Sequence, residues 1–199
     1  SRHYNTDERM VPLMVRIAWQ ICLRVSSSID LATLFTGETS AALHRLTNGQ
    51  RVLDGWKEIY LQTRKKIENE SSGGHGRWEF DQKRLFEKTS YMSERCTDLI
   101  KMVQEIRHFR NILSSELKTV TGEAQAIDDV IVEVDKLVRR IENVSFDPFD
   151  RSCHEQWHEL YTDFHENGEI VEQQILQFID KSFKKLRSAE GAFELLQNF

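Results

Sequence analysis

Apolar residues return at helical spacing through most of the chain. The clearest stripe is Leu85, Met92, Leu99, Ile106, Leu113 and Val120, each seven residues apart. Cys96, Val103 and Leu117 fill much of a second seam, which Thr89 and Arg110 interrupt. The pattern predicts a helix from about Phe80 or Asp81 to Thr119, closed by a turn at Thr121-Gly122. Upstream, Leu46, Leu53, Tyr60 and Ile67 recur every seven residues, with Ala42, Gly49, Trp56 and Thr63 interleaved. They predict a helix from Thr36 or Gly37 to about Asn69, weakened at Gly49 and Gly55 by about 1 kcal/mol each relative to Ala. Downstream, Ile127, Val130, Val134, Leu137, Ile141 and Val144 alternate at three and four, predicting a helix over Glu123 to Asn143. Pro148 ends that helical pattern, and Asp147 or Asp150 caps the next segment.

A last long helix is expected from Asp150 to Leu186. Trp157, Tyr161, Phe164, Val171, Ile175, Phe178 and Leu186 mark its inner face, and Gly168 is the place for a bend. Ser188 then caps a short helix carrying Phe193 and Leu196. At the other end, a helix runs from Asp7 to Arg24, Ser26-Ser27-Ser28 breaks it, and Asp30 to Phe35 makes a turn or two. No segment alternates with the period of a strand. The expected fold is therefore all-α: an elongated bundle of long antiparallel helices with short connecting helices, since short loops make neighbours antiparallel and stripes near period 3.5 favour shallow crossings. Residues 1–36 read as an N-terminal helix and connecting turn. Residues 37–199 read as the helical-bundle segment, with a flexible loop at 71–76 (Ser71-Ser72-Gly73-Gly74-His75-Gly76). Leu99, Ile106, Ile127, Val134 and Trp157 are the expected core.

Composition supports this picture and excludes others. With only 2 Pro and 9 Gly in 199 residues, a turn-rich β-sandwich is disfavoured. The 11 Phe and 4 Trp supply enough apolar surface to offset chain entropy, which argues against disorder. A formal charge of -5 argues against general nucleic-acid binding. The basic runs Arg64-Lys65-Lys66, Arg139-Arg140 and Lys184-Lys185 are expected at helix C-termini, where cations complement the dipole. No apolar run reaches the length of a membrane span. Cys22, Cys96 and Cys153 form neither a disulfide framework nor a metal pair, and read as thiols of a reducing compartment. Two N-x-S sequons, at Asn69 and Asn143, are chance matches without a secretory signal. The chain starts at Ser1 without an initiator Met and stops at Phe199, and both ends read as cuts through a longer polypeptide.

One stretch matches a catalytic signature literally. His154-Glu155-Gln156-Trp157-His158 has the H-E-x-x-H spacing that places two histidines on one helix face to hold zinc, with Glu155 as general base. The longer form of that motif wants Gly three residues and His six residues after the second His. Tyr161 and Phe164 occupy those positions, and His165 comes one residue late. With no third ligand, His154, His158 and His165 read instead as a row at the solvent boundary of the core stripe, and as candidate partner contacts. The cluster Gly73-Gly74-His75-Gly76 lacks the Lys-Ser/Thr of a P-loop and no strand precedes it. No catalytic, cofactor or metal residue is assigned.

Three patches stand out: Val52-Leu53-Asp54-Gly55-Trp56-Lys57-Glu58-Ile59-Tyr60, then Arg77-Trp78-Glu79-Phe80-Asp81 with Leu85-Phe86, and Phe178-Ile179-Asp180 through Leu186 to Phe199. They resemble the tail of the dynein heavy chain, the ciliary (axonemal) members more than the cytoplasmic ones. The similarity covers the chain from about Leu31 onward. In that family the region lies in the N-terminal tail, built of consecutive helical bundles ahead of the linker and the ATPase ring. The resemblance implies a structural and assembly role in a force-generating microtubule motor of cilia and flagella. It implies other heavy chains, intermediate chains and light chains as partners, and contact with the microtubule only through the parent complex. ATP and magnesium then belong to the parent motor, and this segment has no cofactor of its own. The implied location is the cytoplasmic cytoskeleton, in the axoneme of the cilium, with neither nucleic acid nor membrane as a partner. A spectrin-like or coiled-coil scaffold is the competing reading, although no self-similar period is present. A zinc metalloprotease is a third, resting on His154 and His158 alone.

Overall fold

The structure, a computed structural model, describes residues 7–70, 80–114 and 124–197. The 71–76 loop, Leu117, Val120 and the Thr121-Gly122 turn lie outside the described residues, as do the side chains of Leu186 and Leu196. Among the described residues six α-helices follow in order: α1 (Asp7–Ser28), α2 (Leu31–Leu34), α3 (Thr39–Glu70), α4 (Gln82–Ile112), α5 (Ala124–Glu142) and α6 (His154–Gln197). A 3-10 turn, Arg151–Cys153, leads into α6. Among the described residues no strand occurs and 89% are helical, so the chain is all-α. None of these helices is long and apolar enough to cross a membrane.

Element boundaries follow local hydrogen bonding, and several depart from the expected positions. The Ser26-Ser27-Ser28 triplet does not break α1. Ser27 Oγ donates to the Arg24 carbonyl at 2.9 Å and Ser28 Oγ to that of Val25 at 2.7 Å, so the hydroxyls bond back onto the helix's own last turn. Asp30 caps α2, accepting from Ala32 N at 3.1 Å. Gly37 donates to the Thr33 carbonyl and closes that turn, so α3 starts at Thr39 and not at Thr36 or Gly37. Asp81 caps α4 through Lys83 N at 3.0 Å. That helix stops at Ile112, and the expected end at Thr119 lies outside the described residues. Asp150 caps the 3-10 turn through Ser152 N at 2.9 Å, and these bonds hold its carboxyl below the usual range. The expected cap at Ser188 is absent. Its Oγ donates to the Lys185 carbonyl at 2.8 Å and α6 continues unbroken to Gln197.

The basic runs also divide. Arg139 and Arg140 do lie in the last turn of α5. Arg64-Lys65-Lys66 stands near the end of α3 at Glu70, whereas Lys184-Lys185 lies inside α6; Arg64 pairs with Glu68 at 2.9 Å and Lys184 with Asp180 at 2.7 Å, each four residues away on the same helix.

The chain divides into two compact units, residues 1–103 with 145–157, and residues 104–144 with 158–199. In the first, α1 packs on α3. Val11, Met14, Ala18, Cys22 and Val25 form the inner face of α1, and Ala42, Leu46, Gly49, Leu53 and Tyr60 that of α3. Gly49 earns its place by clearance: a Cβ there would stand 2.8 Å from Val25 Cγ1, too close for the two helices to keep their separation. Gln50 Nε2 donates to Thr97 Oγ1 at 2.6 Å, and Ser93 Oγ to Asp54 Oδ1 at 2.7 Å. As numbering rises along α3 it falls along α4, so the two are antiparallel. Tyr60 meets Phe86 edge-on, with ring centres 5.2 Å apart.

In the second unit the buried set is Ile106, Phe109 and Leu113 from α4, Ile127, Val134 and Ile141 with their neighbours on α5, and Phe164, Val171, Ile175 and Phe178 from α6. Arg110 pairs with Asp135 at 3.7 Å and Arg140 with Asp163 at 2.7 Å across its surface. The five residues expected in the core, Leu99, Ile106, Ile127, Val134 and Trp157, are all at most 2% exposed.

Candidate functional site

The H-E-x-x-H stretch forms the first turn of α6. His154 is its first residue, placed by the Asp150 cap and by an ion pair between Arg151 and Glu87. His154, Glu155 and His158 are exposed, while Trp157 between them is 1% exposed. The motif is thus anchored by its tryptophan. Trp157 Nε1 donates to Asp98 Oδ2 at 3.0 Å. Arg95 Nη2 reaches the same oxygen at 3.2 Å, and its guanidinium lies over the rings of Tyr91 and Trp157 at 5.0 and 5.6 Å. Arg95 is 8% exposed, so its charge is held inside by Asp98 and by two aromatic faces.

The three histidines have separate surroundings. His154, in the first unit, turns its ring edge toward Tyr91 at 6.0 Å. His158 and His165 belong to the second unit. His165 is half-buried, with its ring 4.4 Å from that of Tyr161 and its Nδ1 3.3 Å from Glu105 Oε2. Among the described residues no group of three or more His, Cys, Asp or Glu side chains is placed to hold a metal ion.

Glu105 is an acid that the sequence did not mark. Burial and the carboxylates of Glu172 and Glu169 push its pKa up to about 7. Gly168 gives it room, since a Cβ at that position would collide with Glu105 Oε1. Cys22 and Cys96 are buried and their thiols are shifted up by desolvation, Cys96 to about 12, which makes them poor nucleophiles. A crevice beside Tyr91, Cys22 and Glu87 is bounded by Lys88, Asp150 and Arg151, and the Tyr91 hydroxyl has no hydrogen-bond partner there. No nucleophile, base and orienting group converge in it.

Sequence reading also passed over the outer side of α1. That helix carries apolar residues on two sides. Leu13, Ile17, Trp19 and Leu23 are 39–53% exposed, opposite or beside the buried row. The signal was present, because α1 has more apolar positions than one core face can use.

The family described as "Dynein heavy chain, N-terminal region 1" matches residues 1–199. Over 199 residues the chain is 43% identical to the dynein-1-alpha heavy chain of the flagellar inner arm I1 complex of Chlamydomonas reinhardtii, covering all of this chain and 4% of that one. Over 164 residues it is 47% identical to the dynein axonemal heavy chain 10 of Homo sapiens, covering 82% of this chain and 4% of that one. To the dynein-1-beta heavy chain of the same algal complex it is 25% identical over 202 residues, covering all of this chain and 4% of that one. The chain thus spans a small part of these relatives' length. A helical segment matched from its first residue to its last by that family belongs to the N-terminal region of the dynein heavy chains, of the axonemal type.

Proposed function

We propose that this segment works as a structural and assembly part of an axonemal dynein tail, through protein contacts alone. The observation that carries this is identity of 43% over all 199 residues to an axonemal heavy chain. The difference between 43% to the dynein-1-alpha chain and 25% to the dynein-1-beta chain supports an inner-arm heavy chain of the former kind. Its partners are then other heavy chains, intermediate chains and light chains, and its place is the axoneme. Microtubule contact comes only through the parent complex. ATP and magnesium serve the motor modules of the longer chain, and this segment takes part in no chemical step. A spectrin-like scaffold has no comparable support. Long helices braced along their length by neighbours suit a part that transmits force. His154, His158 and His165 are candidate contacts, with exposed His154 and His158 the more accessible.

Pull-down from ciliary extract with the folded chain as bait tests the reading. Recovery of other dynein subunits, reduced when exposed helix positions are charge-reversed, is the expected result. Recovery of no dynein component, or one tightly held zinc that is lost on His158→Ala, overturns it.

A further inference from the structure

The outer face of α1 forms a groove with α3 of about 410 Å³. Its floor is Leu13, Ile17 and Ile21 of α1 with Val52 of α3. Leu13 is 53% and Val52 50% exposed, so the groove leaves contiguous apolar surface in water. Arg16, Gln20 and Arg24 border it. Both arginines are exposed, and neither guanidinium has an ion-pair partner among the described residues. The apolar positions 13, 17 and 21 step by four, which makes a ridge-and-groove surface suited to a helix.

We propose that this groove docks an amphipathic helix of another polypeptide, with an apolar ridge bordered by Asp and Glu. Two features select that occupant. First, the two sides of α1 differ in kind. The inner side, Val11, Met14, Ala18, Cys22 and Val25, holds no charge, as befits a face covered by its own fold. The groove side mixes aliphatic residues with Arg16, Gln20 and Arg24, and its lining carries no lysine and no acid. That is the composition of an exchangeable protein interface, which must stay soluble until its partner arrives. Second, the groove presents positive charge only. A second copy of the same face would set arginine against arginine, which disfavours self-pairing, whereas carboxylates on an incoming helix would meet Arg16 and Arg24. The assembly role proposed above supplies only the setting, and the binding measurement below stands without it.

The probe is a stapled, fluorescein-labelled helix with a leucine ridge bordered by glutamates, and the control is its lysine-bordered counterpart. Both are titrated with the full 199-residue chain and followed by anisotropy. The glutamate helix is expected to bind at least tenfold more tightly than the lysine helix, and to weaken as salt rises. Arg16→Glu with Arg24→Glu should invert the preference, and Ile17→Asp should abolish binding of both probes. All three positions are exposed, so circular dichroism should show helicity unchanged. Equal binding of the two probes, no binding, or binding indifferent to these substitutions overturns the proposal. So does concentration-dependent dimerisation that Ile17→Asp removes, which would assign the face to a second copy. A photo-crosslinker at Leu13 in the assembled dynein identifies the source. An acid-bordered helix of a different subunit supports the assignment, and a peptide of the same heavy chain overturns it.

Discussion

Asp98 and Glu105 stand one heptad apart on α4, and each meets a residue of α6, yet they live in opposite electrostatic worlds. In the first unit, Asp98 has Arg95 at 3.2 Å and the Trp157 indole N–H at 3.0 Å. In the second, Glu105 has no lysine or arginine partner among the described residues. Its nearest titratable contact is His165 at 3.3 Å, which in its neutral form offers a hydrogen bond and no charge, and Glu172 and Glu169 add negative potential. One helix thus carries a paired carboxylate at one level and a carboxyl with a raised pKa one heptad on. Burial alone does not decide whether an acid stabilises; the charges around it do, Arg95 of the same helix for Asp98 and Glu172 and Glu169 of α6 for Glu105.

The largest expected effect tests the helix face on which both acids were placed. Ile106, next to Glu105, is 2% exposed. Ile106→Asp puts an unpaired carboxylate into the core and should destabilise by about 4 kcal/mol. A denaturation midpoint near that of the wild type would remove the face assignment and the comparison with it.

Arg95→Met should come next, at about 2 to 3 kcal/mol, because it removes the cation that faces the partly buried Asp98 carboxylate. Adding Asp98→Asn should restore much of the loss, since the charge that needed Arg95 is then gone. Additive losses in that double-mutant cycle would show that Asp98 and Arg95 act independently.

Glu105→Gln should have the opposite sign. The Glu105 pKa is raised from 4.5 to about 7, so the folded state holds a proton that the unfolded state has released. The contribution of the protonated carboxyl is present below pH about 4.5 and is lost as pH rises to about 7. The variant should therefore match wild type at pH 4 and exceed it at pH 8. With partial exposure discounted, the gain is about 1 kcal/mol. Thermal melts at the two pH values measure it, and a variant less stable than wild type at pH 8 would place Glu105 in a favourable pairing like that of Asp98.

The α4 stripe shows how much of this was legible. Leu85, Met92, Leu99, Ile106 and Leu113 are buried as their spacing required, because period is a property of one helix alone. Arg95, three residues before Asp98, was a legible partner for that acid, whereas the carboxylates that raise the Glu105 pKa lie more than 60 positions away on α6. Serines misled at both ends. Ser27, Ser28 and Ser188 can either break a helix or bond back to it, and composition does not choose. Gly49 read as a weak point and proved to be the clearance that lets α1 approach α3. The H-E-x-x-H match was legible as a pattern and uninformative as chemistry, because its one deeply buried member is the tryptophan at a variable position. The outer face of α1 was visible as surplus apolar residues, but only packing shows which of two sides faces inward.

The division of the chain into two units has an optical consequence. The three described tryptophans, at 19, 56 and 157, and all three cysteines, at 22, 96 and 153, lie in the first unit. Among the described residues, indole fluorescence and thiol labelling therefore report on the first unit. Far-ultraviolet circular dichroism, by contrast, sums over the helices of both. A melt of the unmodified chain followed by the two signals asks whether the units unfold as one. Coincident midpoints identify a single cooperative transition, and separated midpoints assign the fluorescence step to the first unit by residue content alone.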